Sequence, residues 1–207
     1  MTGNTSAPYV DNHAYSAKSG ETQTLQANSP GDWVVTNNTL KGNTSVTSYP
    51  NTGASYNEQP VSKFSSITST YTDFMPHNST TSGWAAEDLW FNNWADEVMI
   101  QYDFTNNGPC AYEAVQQFGG QTWGLCVFGS ERVWKLAPAG TKVGGSATIN
   151  QPSGTIDVKA MITWLEGNGY LPANSTITNL STGFEICSTG GVPEKWGYSA
   201  YTMNAKL

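Results

Sequence analysis

Short β-type runs of mixed apolar and polar residues recur along the chain, separated by turn-forming residues. They extend over 32–36, 45–49, 61–71, 85–91, 97–104, 111–118, 121–128 and 132–136, then over 145–149, 176–185 and 196–203. Period-two alternation puts successive side chains on opposite faces of an extended strand. Gly119-Gly120 and Gly190-Gly191 punctuate the runs, and such pairs suit tight turns. One segment has another period. Val158, Met161, Ile162 and Leu165 are spaced i, i+3, i+4 and i+7, the stripe of an amphipathic helix. Asp157 at its start suits the helix dipole, and Gly167 and Gly169 can end it. Many short strands and one helix predict a sandwich or barrel, with the helix on a sheet's outer face as support.

Composition agrees. Apolar residues make up 38% of the 207 and charged residues only 12%, which describes a hydrogen-bonded all-β surface rather than charged helices. The length suits one domain, expected over residues 9–207 behind a frayed start at 1–8. That start lacks the apolar stretch of a signal peptide. A net charge of −7 with one arginine, Arg132, excludes nucleic acid as partner. No apolar run is long enough to span a membrane. Cys110, Cys126, Cys187, His13 and His77 show no metal-ligand spacing, so neither metal nor cofactor is expected. Cys110 and Cys126 can bridge across the hairpin around Gly119-Gly120. A two-residue turn there sets Cys126 opposite Glu113, so a bridge needs a bulge or another register; spacing leaves the pairing open.

The carboxylates change the picture. Glu97, Met99 and Gln101 share one strand face, with Val98, Ile100 and Tyr102 on the other. Glu185 shares a face with Cys187, while Phe184 and Ile186 point the opposite way. Asp88 goes with Ala86 and Trp90, leaving Leu89 and Phe91 for the core. One glutamate on an exposed strand is usually just solvated. Three carboxylates on the polar parity of three separate strands indicate a working face. Two carboxylates facing one groove are the minimum for hydrolysing a glycosidic bond. Asp96 has the opposite parity and reads as the start of its strand, Cys187 as cleft packing, and Glu87, Glu113 and Glu194 as surface groups. Trp90, Trp123 and Tyr15 are candidate sugar platforms, and Asn12 a candidate partner for a sugar hydroxyl. Trp33, Trp84, Trp94, Trp134, Trp164 and Trp196 suit a core equally well.

These motifs resemble glycoside hydrolase family 12. Its nucleophile strand, of the type E-x-M-I-W, is matched by Glu97–Gln101, and its G-x-E acid/base strand by Gly183–Cys187. Ser48-Tyr49-Pro50-Asn51, the Asp88-Leu89-Trp90 strand, the helix at 157–165 and Asn168-Gly169-Tyr170-Leu171-Pro172 follow in the family's order. The resemblance covers the chain from Tyr9 onward. It implies a β-jelly-roll sandwich of two curved antiparallel sheets with one outer helix. It further implies a secreted, monomeric, retaining endo-β-1,4-glucanase acting on a β-glucan polysaccharide. Glu97 is then the nucleophile, Glu185 the acid/base, and Asp88 the carboxylate beside the nucleophile. A family 11-like xylanase and a non-catalytic glycan-binding module are the alternatives. Gln101 stands where the family has tryptophan, and Asp11-Asn12-His13-Ala14-Tyr15 replaces its N-x-W platform, so Met99, Gln101 and Tyr15 are expected to set subsite detail.

Overall fold

The computed structural model describes residues 6–107, 110–137 and 147–207. The first residues of the expected frayed start, 1–5, lie outside it. The strands are β1 (Tyr9–His13), β2 (Thr22–Ser29), β3 (Asp32–Asn38), β4 (Tyr49–Pro60), β5 (Ser66–Phe74), β6 (Thr81–Phe91) and β7 (Asp96–Asn107). They continue with β8 (Ala114–Phe118), β9 (Gln121–Phe128), β10 (Glu131–Leu136), β11 (Ala147–Ile149), β12 (Ser153–Asp157), β13 (Thr176–Thr189) and β14 (Glu194–Lys206). The helix, α1 (Val158–Gly167), lies between β12 and β13.

Two sheets stack as a jelly-roll sandwich. The larger has the order β1-β4-β13-β6-β7-β10-β9-β8 with β11 added to β7, and the smaller β12-β5-β14-β3-β2. Among the described residues all pairings are antiparallel except one. β10 runs parallel to β7, because the chain leaves β7, makes the β8–β9 hairpin, and returns from the far side. The sheets are thus antiparallel as expected but for this pair, which brings Glu131 level with Glu97.

The core forms where alternation puts the apolar residues. Leu89 and Phe91 of β6, Val98, Ile100 and Tyr102 of β7, and Phe184 and Ile186 of β13 are all buried. Trp33 of β3 and Tyr198 of β14 meet them from the smaller sheet. The Trp33 ring packs edge-on against Phe184 at 5.7 Å and Tyr198 at 5.3 Å. Each such side chain contributes roughly 1.5–3 kcal/mol by leaving water. In α1 the four stripe residues Val158, Met161, Ile162 and Leu165 are buried. Asp157 caps the helix, accepting from the Ala160 amide at 3.0 Å. The helix lies beside β5, and its Trp164 packs against Trp134 of β10 at 5.2 Å. It so extends the cover that the smaller sheet gives the core-side face of the larger sheet.

Two expectations need correction. The run at 61–71 is not one strand: β4 ends at Pro60, and a single 3-10 turn over Val61–Lys63 precedes β5. Proline offers no ladder N–H, which suits it to a strand end. Glu87 is not a surface group but fully buried, facing the sandwich interior from β6 with the Tyr201 hydroxyl donating to its carboxyl at 2.8 Å. Glu113 is exposed and Glu194 partly so. The 145–149 run is strand over Ala147–Ile149, its first two residues lying outside the described ones.

Candidate active site

The other face of the larger sheet encloses an open groove of about 790 Å³. Asp88 from β6, Glu97 from β7 and Glu185 from β13, three adjacent strands, all line it. Asp88 stands opposite Met99 on one side and Ser181 on the other. Glu97 is opposite Trp90, and Glu185 is opposite Trp84, six residues away along β6. On a flat sheet that offset would be about 20 Å at ~3.3 Å per residue. Glu185 nonetheless feels the charge of Glu97. Both side chains line the same groove.

Their protonation is linked. Burial pushes Glu97 up to about 8, helped by the negative charges of Asp88 and Glu131 and by a hydrogen bond with Asp88. Burial and the charge of Glu185 raise Asp88 to about 7, while contacts with Trp90, Glu97 and Tyr49 pull it down. Burial and Glu97 raise Glu185 to about 8, against the lowering effect of the Trp84 indole. Three crowded carboxyls in a poorly hydrated groove cannot all ionise, so near neutrality the group retains protons. A hydrogen bond between Asp88 and Glu97 itself requires a proton on one of them. The Tyr15 hydroxyl is pushed up to about 12 by burial and by Glu185, so it stays protonated as a donor.

Among the other expected residues, Trp90, Met99, Gln101 and Tyr15 line the groove. Gln101 is buried in its floor; it donates to the Met99 sulfur at 3.1 Å and accepts from Asn107 at 2.7 Å. Trp123 and Asn12 do not. Trp123 is 2% exposed and belongs to the core between the sheets. On the groove side of β9 its neighbour Gly124 lies under the Tyr112 ring instead. Asn12 points away from the groove, where it accepts from the Gln23 amide at 2.9 Å. Its neighbours Tyr9, Asp11 and His13 take the groove face of β1. Cys187 is buried beside the groove rather than lining it, its thiol pushed up to about 12 by burial and by Glu185. Cys110 and Cys126 are bridged, with Cα atoms 6.1 Å apart.

Trp84 and Trp94, which in the sequence suit a core equally well, and Glu131 and Lys135, which the sequence does not single out, also line the groove. Once Trp134 is known to be core, alternation along β10 sends Glu131, Val133 and Lys135 to the groove. Lys135 lies over the Phe104 ring, 6.0 Å from its centroid, and burial lowers it to about 8.

No protein-family model matches the sequence, and no curated protein matches it. Solved structures match the fold. A family 12 xyloglucanase from Bacillus licheniformis superposes with a TM-score of 0.77 at 18% identity, over 96% of this chain and 93% of that one. The xyloglucanase domain of NopAA, a type three effector from Sinorhizobium fredii, solved with cellobiose, gives 0.77 at 19% identity over 99% and 98%. The catalytic domain of Humicola grisea Cel12A, solved with a thio cellotetraose, gives 0.76 at 19% identity over 96% and 92%. The fold is that of family 12 glycoside hydrolases.

Proposed function

We propose that residues 9–207 form the catalytic domain of a retaining endo-β-1,4-glucanase. The observation that carries this reading is the set of coupled carboxyls, Glu97, Asp88 and Glu185, on three neighbouring strands of one open groove. An open groove admits a polymer in mid-chain. The family 12 structures with the same fold include xyloglucanases and cellulases, which supports a β-1,4-glucan backbone as substrate. The Cys110–Cys126 bridge supports an oxidising, extracellular setting.

In this mechanism the ionised Glu97 attacks the anomeric carbon while protonated Glu185 gives its proton to the departing glycosidic oxygen. A glycosyl ester forms on Glu97. Glu185, now charged, takes a proton from water, which attacks the same carbon and releases the sugar. Asp88 holds the shared proton while Glu97 is the nucleophile. The positive charge developing on the sugar ring favours that distribution, because it stabilises an ionised Glu97.

Reducing-end release from carboxymethylcellulose, mixed-linkage β-glucan, xyloglucan and xylan tests the reading, with Glu97→Ala as control. Cleavage of a β-1,4-glucan by wild type and not by the variant is expected. Cleavage of xylan alone indicates a xylanase, and retention of polymer without cleavage indicates a binding module. Either result overturns the proposal.

A further inference from the structure

The turn between β6 and β7 is strained, and what it presents is an exposed tryptophan. Asn92, Asn93 and Trp94 are three consecutive non-glycine residues in the left-handed region, with φ of 53°, 56° and 67°. Asparagine tolerates this conformation; a bulky side chain pays roughly 1–2 kcal/mol for it.

A clamp of side chains holds the turn. The Asn92 amide donates to Asp96 at 2.9 Å and to Ser175 at 3.2 Å, and its oxygen accepts from the Thr176 backbone at 3.0 Å. The Asn93 N–H donates to the Glu58 carboxylate at 3.1 Å and to the Thr178 hydroxyl at 3.0 Å. Glu58 also accepts from the hydroxyls of Thr176 and Thr178. It sits at φ 57° itself, so two left-handed segments are tied together across β13.

The fold gains little from Trp94 directly. Its side chain is 55% exposed, and its ring lies 5.5 Å from that of Trp90, with both lining the groove. Because β7 and β10 are parallel, the β9–β10 turn lies at the same end of the sheet. It brings Phe128, 49% exposed and also lining the groove, to the same rim. Strain that the surroundings enforce on an exposed residue beside a reaction site points to a role at that site.

We infer that Trp94 is a stacking platform in an outer subsite, where it binds the apolar C–H face of a neutral pyranose ring in the polymer chain. Glu58 is the positioning residue that holds the platform in place. The inference rests on the glucanase reading. Trp90 and Trp94 form one aromatic strip from the nucleophile outward, so a chain long enough to reach Trp94 is held better than one spanning only the cleavage point.

Kinetics on a soluble β-glucan and on an aryl β-cellobioside test this. In Trp94→Ala, kcat/KM on the polymer is expected to fall about three- to tenfold more than on the short substrate, mainly through KM. Trp94→Phe restores most of that loss. Glu58→Ala gives a loss of the same kind with the indole still present. Trp94→Gly loses polymer affinity as Trp94→Ala does but melts about 2–8 °C above it, because glycine takes φ 67° freely. Equal losses on both substrates, no loss on the polymer, or a Gly variant no more stable than the Ala variant would each overturn the inference. Affinity electrophoresis in β-glucan gels separates this from the catalytic reading. Wild type that is retarded but cleaves nothing, with retardation lost in Trp94→Ala, sinks the enzyme assignment and upholds the platform; wild type that is not retarded overturns the platform.

Discussion

Glu131 stands directly opposite Glu97 on the parallel β7–β10 pair, and both face the groove. After burial and Asp88, its charge is the next cause that raises Glu97, and it raises Glu185 as well. Hydrolysis needs Glu97 ionised and Glu185 protonated. Glu131→Gln removes a negative charge from beside both, which lowers both values. The acid and alkaline limbs of the kcat/KM profile should therefore both move to lower pH. Glu131 is exposed, so the movement is smaller than for a buried neighbour. Limbs that stay in place would show that solvent screens it fully.

Glu97→Ala removes the covalent route, and Glu185→Ala removes the proton donor. Each should lower kcat on polymer by about 10²–10⁴-fold or more, with KM changing far less. Circular dichroism and melting should remain near wild type, since both side chains lie on the groove face rather than in the core. Turnover at the wild-type rate by either variant, its identity verified by mass, removes that residue from the mechanism.

Asp88→Asn acts differently. Asp88 raises Glu97 both by its charge and by their hydrogen bond. Without that charge Glu97 ionises at lower pH, so the acid limb shifts to lower pH. The rate also falls, by less than in Glu97→Ala, because the shared proton loses its holder. A pH–rate series on the purified variant reads both effects. An unchanged rate and profile would make Asp88 a bystander.

The working face was legible because its strands alternate cleanly. Val98, Ile100 and Tyr102 fix the core side of β7, so Glu97, Met99 and Gln101 follow onto the other. The same logic shows what was overlooked: if Asp88 faces the groove, Glu87 must face the core. Trp123 was ambiguous because β9 has bulk on both parities, Trp123 and Leu125 on one and Cys126 on the other. The Tyr112 ring over Gly124 resolves it only in three dimensions. Asn12 depended on the pairing of β1 with β4, where His13 meets Tyr49, and register between distant segments leaves no local mark. The hairpin has the register of a two-residue turn, with Phe118 opposite Gln121. Cys110 reaches Cys126 all the same, since it lies before β8 begins.

Stereochemistry tests the double displacement. Two successive inversions at the anomeric carbon, first by Glu97 and then by water, return the β configuration. Proton NMR of the earliest products from a soluble β-glucan should show the β-anomer before mutarotation mixes the forms. The α-anomer appearing first would mean direct attack by water, with no ester on Glu97.

Glu87 gives the fold its own pH dependence. It is fully buried, and burial raises it to about 7 against the opposing hydrogen bond of the Tyr201 hydroxyl. The unfolded chain releases this proton near the ordinary glutamate value of 4.5, whereas the folded protein keeps it until about 7. The stability linked to this group is thus fully present below about 4.5 and is lost as pH rises to about 7. The loss is on the order of 3 kcal/mol. Glutamine has the same shape and no charge, and its oxygen can still accept from the Tyr201 hydroxyl. Glu87→Gln should therefore melt several degrees above wild type at pH 8. Near pH 4.5 the two should melt together, so the variant has the flatter melting profile. A variant less stable than wild type at pH 8 would mean that the carboxylate is stabilised in the core by partners stronger than the Tyr201 hydroxyl.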